Sequence, residues 1–143
     1  MRLALAALLL SACFDDPDVG PPLAGGCKPD DSDPEVAVSF SQDIRPLFDR
    51  PGSEGGCGCH NSGGIGVQLS GFDMSSFGVL MQGGEVSGRE IVVPGDPCNS
   101  QLLQKLSASP AVGARMPLSG PPFFSADEER LVHDWIAEGA LDN

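Results

Sequence analysis

The stretch SADEERLVHDWIAEG, residues 125–139, predicts the longest helix of the chain and the element around which its core is built. Ser125 and Glu128 form the S-x-x-E pattern of a capping box, and Gly139 stands just past the expected end. Apolar side chains recur along it at helical spacing. They are Leu131, Val132, Trp135 and Ile136. We expect this stripe to pack on the first helix of the domain, with Trp135 as the largest single contributor to the core.

Working outward, the sequence predicts an all-α fold class, with short helices joined by long Gly/Pro-rich loops. The expected helix starts are Ser41 for a first helix, Asp73 for a helix through residues 77–81, and Asn99 or Ser100 for a third. The apolar positions that support the first and third are Phe40, Ile44, Leu47 and Phe48, then Leu102, Leu103 and Leu106. Residues 90–93 read as a short extended segment, and residues 52–66 as a loop with seven glycines.

The first residues predict export and a lipid anchor. Residues 3–10 form an apolar stretch of signal-peptide length, too short to span a bilayer. Small residues then precede Cys13, which is typical of bacterial lipoprotein processing with lipidation of that cysteine. The alternative is an ordinary secreted protein with a cysteine at this position by chance. We therefore expect a signal peptide at residues 1–12 and a cell-envelope lipoprotein, in the outer membrane or facing the periplasm.

The composition divides the rest of the chain into a tether and one domain. Residues 14–36 hold seven acidic residues and five prolines with little apolar periodicity, so we expect a disordered tether over residues 13–38. The domain would then occupy residues 39–143, a size that often needs a disulfide or a cofactor for stability. The formal net charge of −12 argues against nucleic acid and anionic lipid surfaces as partners.

Two short motifs carry the chemistry. Cys59-His60 lies in the Gly-rich loop, and a thiol next to an imidazole is the core of a covalent haem attachment site. Arg115-Met116-Pro117 lies in a later loop, and a methionine beside a proline is a typical second axial ligand. The run from Cys57 to His60 is one residue shorter than C-x-x-C-H. No arrangement of Ser, His and Asp, no phosphate loop and no carboxylate dyad stands out, so we do not expect an enzyme.

Taken together, these motifs resemble the small c-type cytochrome-like domains of planctomycete and myxobacterial exported proteins. The resemblance covers nearly all of residues 39–141, as a series of short matches in the family's order. They are Phe40-Ser41, Asp43-Ile44, Pro46-Leu47-Phe48, Cys59-His60, Val93-Pro94-Gly95-Asp96-Pro97, Ser100, Leu102, Arg115-Met116-Pro117, Gly120, Trp135-Ile136 and Gly139-Ala140.

The resemblance implies covalently bound haem c and transfer of single electrons to redox partner proteins of the cell envelope. It implies His60 as the proximal ligand, Met116 as the distal ligand and Cys59 as a thioether donor. An imidazole and a thioether together saturate low-spin iron, which suits electron transfer. Arg115 would pair with a haem propionate or stay solvated.

The sequence departs from the family pattern at Gly56, where the first cysteine of the motif should be. Either Cys59 forms a single thioether, or Cys57 joins it in a strained arrangement; alternatively Cys57 forms a disulfide with Cys98 or Cys27. Met74 and Met81 are alternative axial ligands. Two other functions stay open: a haem-free cytochrome fold acting as a structural or interaction module, and a soft-metal site for Cu(I) or Zn²⁺ built from Cys57, Cys59 and His60 with Met116 or Cys98.

Overall fold

The structure is a computed structural model that describes residues 27–111 and 113–143. Within these residues the secondary structure is helical, without strands, so the expected all-α class is confirmed. The described residues contain five α-helices: α1 Arg45–Asp49, α2 Ile65–Ser70, α3 Phe77–Leu80, α4 Gln101–Leu106 and α5 Ala126–Ala137. A π-helical turn precedes α1, and single 3₁₀ turns punctuate the loops at Gly52–Glu54, Gly58–His60, Gly88–Ile91 and Pro97–Asn99.

Helix α5 begins where the sequence predicts. The Ser125 hydroxyl accepts from the Glu128 backbone N–H, and the Glu128 carboxylate accepts from the Ser125 N–H, which completes the capping box. Burial of Glu128 would raise its pKa, but the hydrogen bonds from Ser125 and from Arg50, and the Arg50 charge, hold it below its usual value. Val132, Trp135 and Ile136 are fully buried. Leu131 is 36% exposed and lies outside the core, so that part of the predicted stripe is wrong.

The first helix packs on α5 as expected. The Phe40 and Trp135 ring centroids are 5.3 Å apart, and Phe40, Ile44 and Phe48 are buried. The cap, however, is Ser39 rather than Ser41, and the turn Phe40–Ile44 is π-helical. Pro46 lies in the first turn of α1, where proline is tolerated because the first N–H groups of a helix have no intrahelical acceptor.

Two other local predictions are corrected. Ser76, not Asp73, caps α3, while Asp73 accepts hydrogen bonds from the Ser75 N–H and the Ser62 hydroxyl. Residues 90–93 are not an extended segment: Gly88–Ile91 is a 3₁₀ turn, and the backbone becomes extended only at Val92. Without a neighbouring strand among the described residues, the β propensity of these side chains has no sheet to stabilise.

Residues 27–38, nearly half of the expected tether, are packed on the domain. A disulfide joins Cys27 to Cys98, the Ser32 N–H donates to an Asp134 carboxylate oxygen at 3.0 Å, and the Val38 N–H donates to Glu138 at 2.9 Å. Hydrogen bonds from Ser32 and His133 outweigh the effect of burial on Asp134 and lower its pKa. Residues 27–38, which the sequence assigns to the tether, therefore line one side of α5.

The remaining N-terminal predictions lie outside the described residues. These are the signal peptide at residues 1–12, the lipidation site Cys13 and the tether over residues 13–26. Within the part of the chain that the structure describes, no helix has the length and hydropathy needed to cross a bilayer.

Candidate cofactor site

The Gly-rich loop after α1 is held against the end of that helix. The Cys57 N–H donates to the Phe48 carbonyl at 3.0 Å, and the Gly58 N–H donates to the Arg50 carbonyl at 3.2 Å. A Cβ at Gly56 would lie 2.1 Å from the Arg50 carbonyl oxygen, so no side chain fits at that position. These close approaches explain why glycines flank Cys57.

His60 lies in the 3₁₀ turn Gly58–His60, and its ring is fixed from two sides. Its Nδ1 is 3.0 Å from the Phe72 carbonyl oxygen, and the Phe72 ring centroid lies 5.3 Å from its own. A carbonyl only accepts, so Nδ1 carries the proton and the lone pair of the neutral ring is on Nε2. A Cβ at Gly66 would lie 2.9 Å from the imidazole, so a glycine is required beside the ring. In metal-binding histidines, a carbonyl that accepts from the other ring nitrogen fixes the orientation of the imidazole in this way.

Met116 is presented by Lys105, a residue of α4. The Met116 N–H donates to the Lys105 carbonyl at 2.7 Å, and the Lys105 ammonium donates to the Ala114 carbonyl at 2.9 Å. Burial lowers the pKa of Lys105. The Met116 side chain is partly buried and packs on the hydrophobic core. One residue of α4 therefore holds the loop on both sides of Arg115, through its backbone carbonyl and its ammonium group.

A cavity of about 290 Å³ brings the predicted ligands together. Its walls include Cys57, His60 and Met116, which come from two loops far apart in the sequence. The surface of the cavity is mostly apolar, and Met74, Ile91 and Leu102 within it are buried core residues. Polar side chains also line it: Ser70, Ser87, Gln101, Gln104 and Lys105. Val86 also lines the cavity and is 90% exposed, which places it at the mouth. The cavity therefore brings the His60 imidazole together with three sulfur-bearing side chains, those of Cys57, Met74 and Met116.

The two cysteines of the loop differ in their surroundings. Cys57 is 5% exposed and lines the cavity, whereas Cys59 is partly exposed and does not line it. Burial, with a smaller contribution from Cys59, raises the pKa of the Cys57 thiol to about 12. Both are free thiols. The alternative in which Cys57 bonds to Cys98 or Cys27 is wrong, because those two residues bond to each other.

Arg115 does not take part in the cavity. Its guanidinium donates to the Leu106 carbonyl at 2.8 Å and to the Glu129 carboxylate at 2.9 Å, and it stacks over the Phe123 ring at 4.3 Å. The expectation that it pairs with a propionate or stays solvated is corrected: Arg115 ties the Met116 loop to α5.

Sequence reasoning missed several residues of the site. Phe72 and Gly66 orient His60, and Lys105 holds the Met116 loop, but no sequence motif records these contacts. Of the alternative axial ligands, Met74 lines the cavity and Met81 does not. A larger groove of about 420 Å³ lies beside the Cys27–Cys98 disulfide and contains none of the predicted haem-site residues.

Among the described residues, no group of three or more His, Cys, Asp or Glu side chains is placed to hold a metal ion. The Zn²⁺ alternative therefore finds no ligand set of that kind there. Comparisons of the chain with protein-family models, with curated proteins and with solved structures found no match.

Proposed function

We propose that this domain binds haem c with His60 and Met116 as axial ligands and carries single electrons. The observation that carries the proposal is that both side chains line one apolar cavity, with His60 already committing its Nδ1 proton to the Phe72 carbonyl. That hydrogen bond leaves Nε2 as the donor atom for iron. The donor set, one imidazole and one thioether, is that of electron-transfer cytochromes.

The chain's own residues supply position and a low dielectric. Phe72 fixes the imidazole plane, Lys105 fixes the backbone at Met116, and the core residues around them exclude water. When bound, haem supplies the electron-accepting iron, and a methionine ligand favours its ferrous form. The cavity, at about 290 Å³, lies just below the roughly 300–1,000 Å³ of small-molecule sites, so it would enclose a macrocycle only in part. The exposed Val86 lies at its mouth.

The cellular setting belongs to the same proposal. A lipid anchor at Cys13 would hold the domain at the cell envelope, in the outer membrane or facing the periplasm, where redox partner proteins exchange electrons with it. The net charge of −12 favours partners that present a basic surface and disfavours nucleic acid. Nothing in the cavity calls for a catalytic role, so we propose a carrier and not an enzyme.

The test is a pyridine haemochrome spectrum on the full chain, produced in a periplasm with a cytochrome c maturation system. We expect a covalent haem signal and a low-spin spectrum. His60→Ala should abolish the low-spin spectrum, because it removes the only imidazole on the cavity wall. His133→Ala is the matched control, because the ring of His133 bonds Asp134 and the Lys28 carbonyl away from this cavity. A correctly folded chain without haem, or a normal spectrum in the His60 variant, would sink the proposal.

One alternative has a specific observation in its favour. The Cys57 thiol, the His60 imidazole and the Met116 thioether share one cavity, and soft sulfur ligands with an imidazole suit Cu(I). Copper titration of the chain produced without haem maturation distinguishes the two functions. Tight stoichiometric Cu(I) binding that is lost in Met116→Leu, in a chain that never acquires haem, would favour the copper site.

A further inference from the structure

The two thiols of the Gly-rich loop are not equivalent, and the difference decides how a haem would be attached. We propose that Cys57 alone forms the covalent bond, so that attachment is through a single thioether and Cys59 remains a free thiol. This inference rests on the proposed function, since it names the attachment residue of the same site. It departs from the expectation that the cysteine adjacent to His60 is the donor.

Cys57 and Cys59 differ first in their position relative to the cavity. Cys57 shares the cavity wall with His60 and Met116 and is 5% exposed, so its sulfur belongs to the space that a haem edge would occupy. Cys59 is absent from that wall and partly exposed to solvent. A side chain that does not line the cavity cannot reach a vinyl group inside it without rearrangement of the turn.

The backbone around Cys57 is the second argument. Its N–H donates to the end of α1 at Phe48, and the next N–H donates to the Arg50 carbonyl, so the residue is anchored on both sides. A regular C-x-x-C-H motif would need a cysteine at position 56. There a Cβ would lie 2.1 Å from the Arg50 carbonyl oxygen. The loop therefore offers the cavity one thiol, at position 57, and has no space for the usual first cysteine.

The chemistry needs no further reagent. The Cys57 S–H adds across a vinyl double bond: sulfur bonds to the carbon next to the ring, and the thiol proton goes to the terminal carbon. The π bond and the S–H bond are consumed, and no electrons are gained or lost overall.

The experiment compares the full chain with its Cys57→Ala and Cys59→Ala variants, each produced with the same maturation system. Covalent haem is measured by haem staining on denaturing gels and by mass spectrometry of the haem peptide. We expect loss of covalent haem in Cys57→Ala and retention in Cys59→Ala. We also expect an α band in the wild-type haemochrome at the position of one saturated vinyl group, and alkylation of Cys59 in the loaded protein.

The folding control is haem that binds without a covalent bond. Cys57→Ala should still take up added haem with the low-spin spectrum of the wild type, and release it on denaturation. Loss of covalent haem in Cys59→Ala, or an α band that reports two saturated vinyl groups, would overturn the inference while leaving the proposed function intact. A folded wild-type chain that binds no haem in any form would overturn both.

Discussion

Removing the Cys27–Cys98 disulfide should destabilise the domain by about 4 kcal/mol. The bridge joins residues separated by 71 positions, and the chain-entropy relation for a loop of that length gives a loss of about 4 kcal/mol at 25 °C when the bond is absent. Small domains have total stabilities of roughly 5–15 kcal/mol, so the double variant Cys27→Ser/Cys98→Ser would retain a fold with a much smaller margin.

The loss of stability should arise in the unfolded chain, because other contacts keep residues 27–38 in place in the folded domain. His133 Nε2 lies 2.6 Å from the Lys28 carbonyl oxygen, and Asp134 accepts from the Ser32 N–H at 3.0 Å. We therefore expect the native far-ultraviolet circular dichroism spectrum to be unchanged, and the dependence of stability on urea to steepen slightly as the unfolded chain expands.

The assay is urea unfolding followed by the fluorescence of Trp135, which is the only tryptophan and is fully buried. With a slope of about 2 kcal/mol per molar urea, the midpoint should fall by about 2 M. Cys59→Ser is the control, because Cys59 is a free thiol away from the bridge. A fall of less than about 0.5 M in the double variant, with an unchanged slope, would refute the entropic reasoning.

Three further predictions concern the loop, the ligand and pH. Gly56→Ala should lower the free energy of unfolding, measured in urea, by about 3 kcal/mol or more, because the new Cβ would clash with the backbone of Arg50. Gly78→Ala is the control and should be neutral or slightly stabilising, because a Cβ there meets nothing within 4 Å. Equal effects of the two substitutions would contradict the packing argument. Met116→Leu should abolish the methionine–iron charge-transfer absorption of the oxidised, loaded protein and Met74→Leu should not; the reverse pattern would move the ligand to Met74. The pKa of Glu128 is lowered in the folded state, so its contribution to the free energy of unfolding is complete above the ordinary carboxyl pKa of about 4.3 and is lost as the pH falls through the folded pKa. Stability should therefore fall more steeply at acid pH in the wild type than in Glu128→Gln. Parallel curves of stability against pH would show that the Glu128 carboxylate contributes nothing.

The sequence predicted best those features whose information is local. The capping box at Ser125 and Glu128 and the burial of Trp135 follow from spacing within one helix, and both are confirmed. The caps at Ser41 and Asp73 were wrong because neighbouring hydroxyl groups compete for the same role. Ser39 and Ser76 accept the capping hydrogen bonds instead, and only the path of the chain into each helix decides between them.

Long-range contacts explain the rest of the differences. Ser100 precedes α4 as predicted, yet its fully buried hydroxyl makes no capping bond and instead accepts from the Val93 N–H at 2.8 Å. The ordered segment that includes Ser32 has the composition of a tether, and α5 supplies the partners that its own residues lack. In both places the decisive group is contributed by another part of the chain, so the local sequence pattern does not predict it.

The same distinction applies to the candidate site. The motifs predicted His60 and Met116 as ligands, and the fold brings both to one cavity. Because Cys59 is adjacent to His60, the same motifs favoured Cys59 over Cys57 as the attachment residue. The Arg50 carbonyl accounts for the difference between the two thiols, because it excludes a side chain at position 56 and accepts from the Gly58 N–H in the turn that follows. A spacing that looks irregular in the sequence is therefore the one this loop can accommodate.

The two walls of the cavity depend on different parts of the fold, and this has a consequence for stability. The His60 carbonyl accepts from the Met74 N–H at 2.7 Å, and the Met74 carbonyl accepts from Arg45 at 2.8 Å, which ties one wall to α1. The other wall is tied to α4, because the Met116 N–H donates to the Lys105 carbonyl. A ligand held by both His60 and Met116 would link these elements and bind only the folded chain. Its binding must therefore raise the free energy of unfolding, and a loaded chain no more resistant to urea than the empty one would mean that the two walls do not share a ligand.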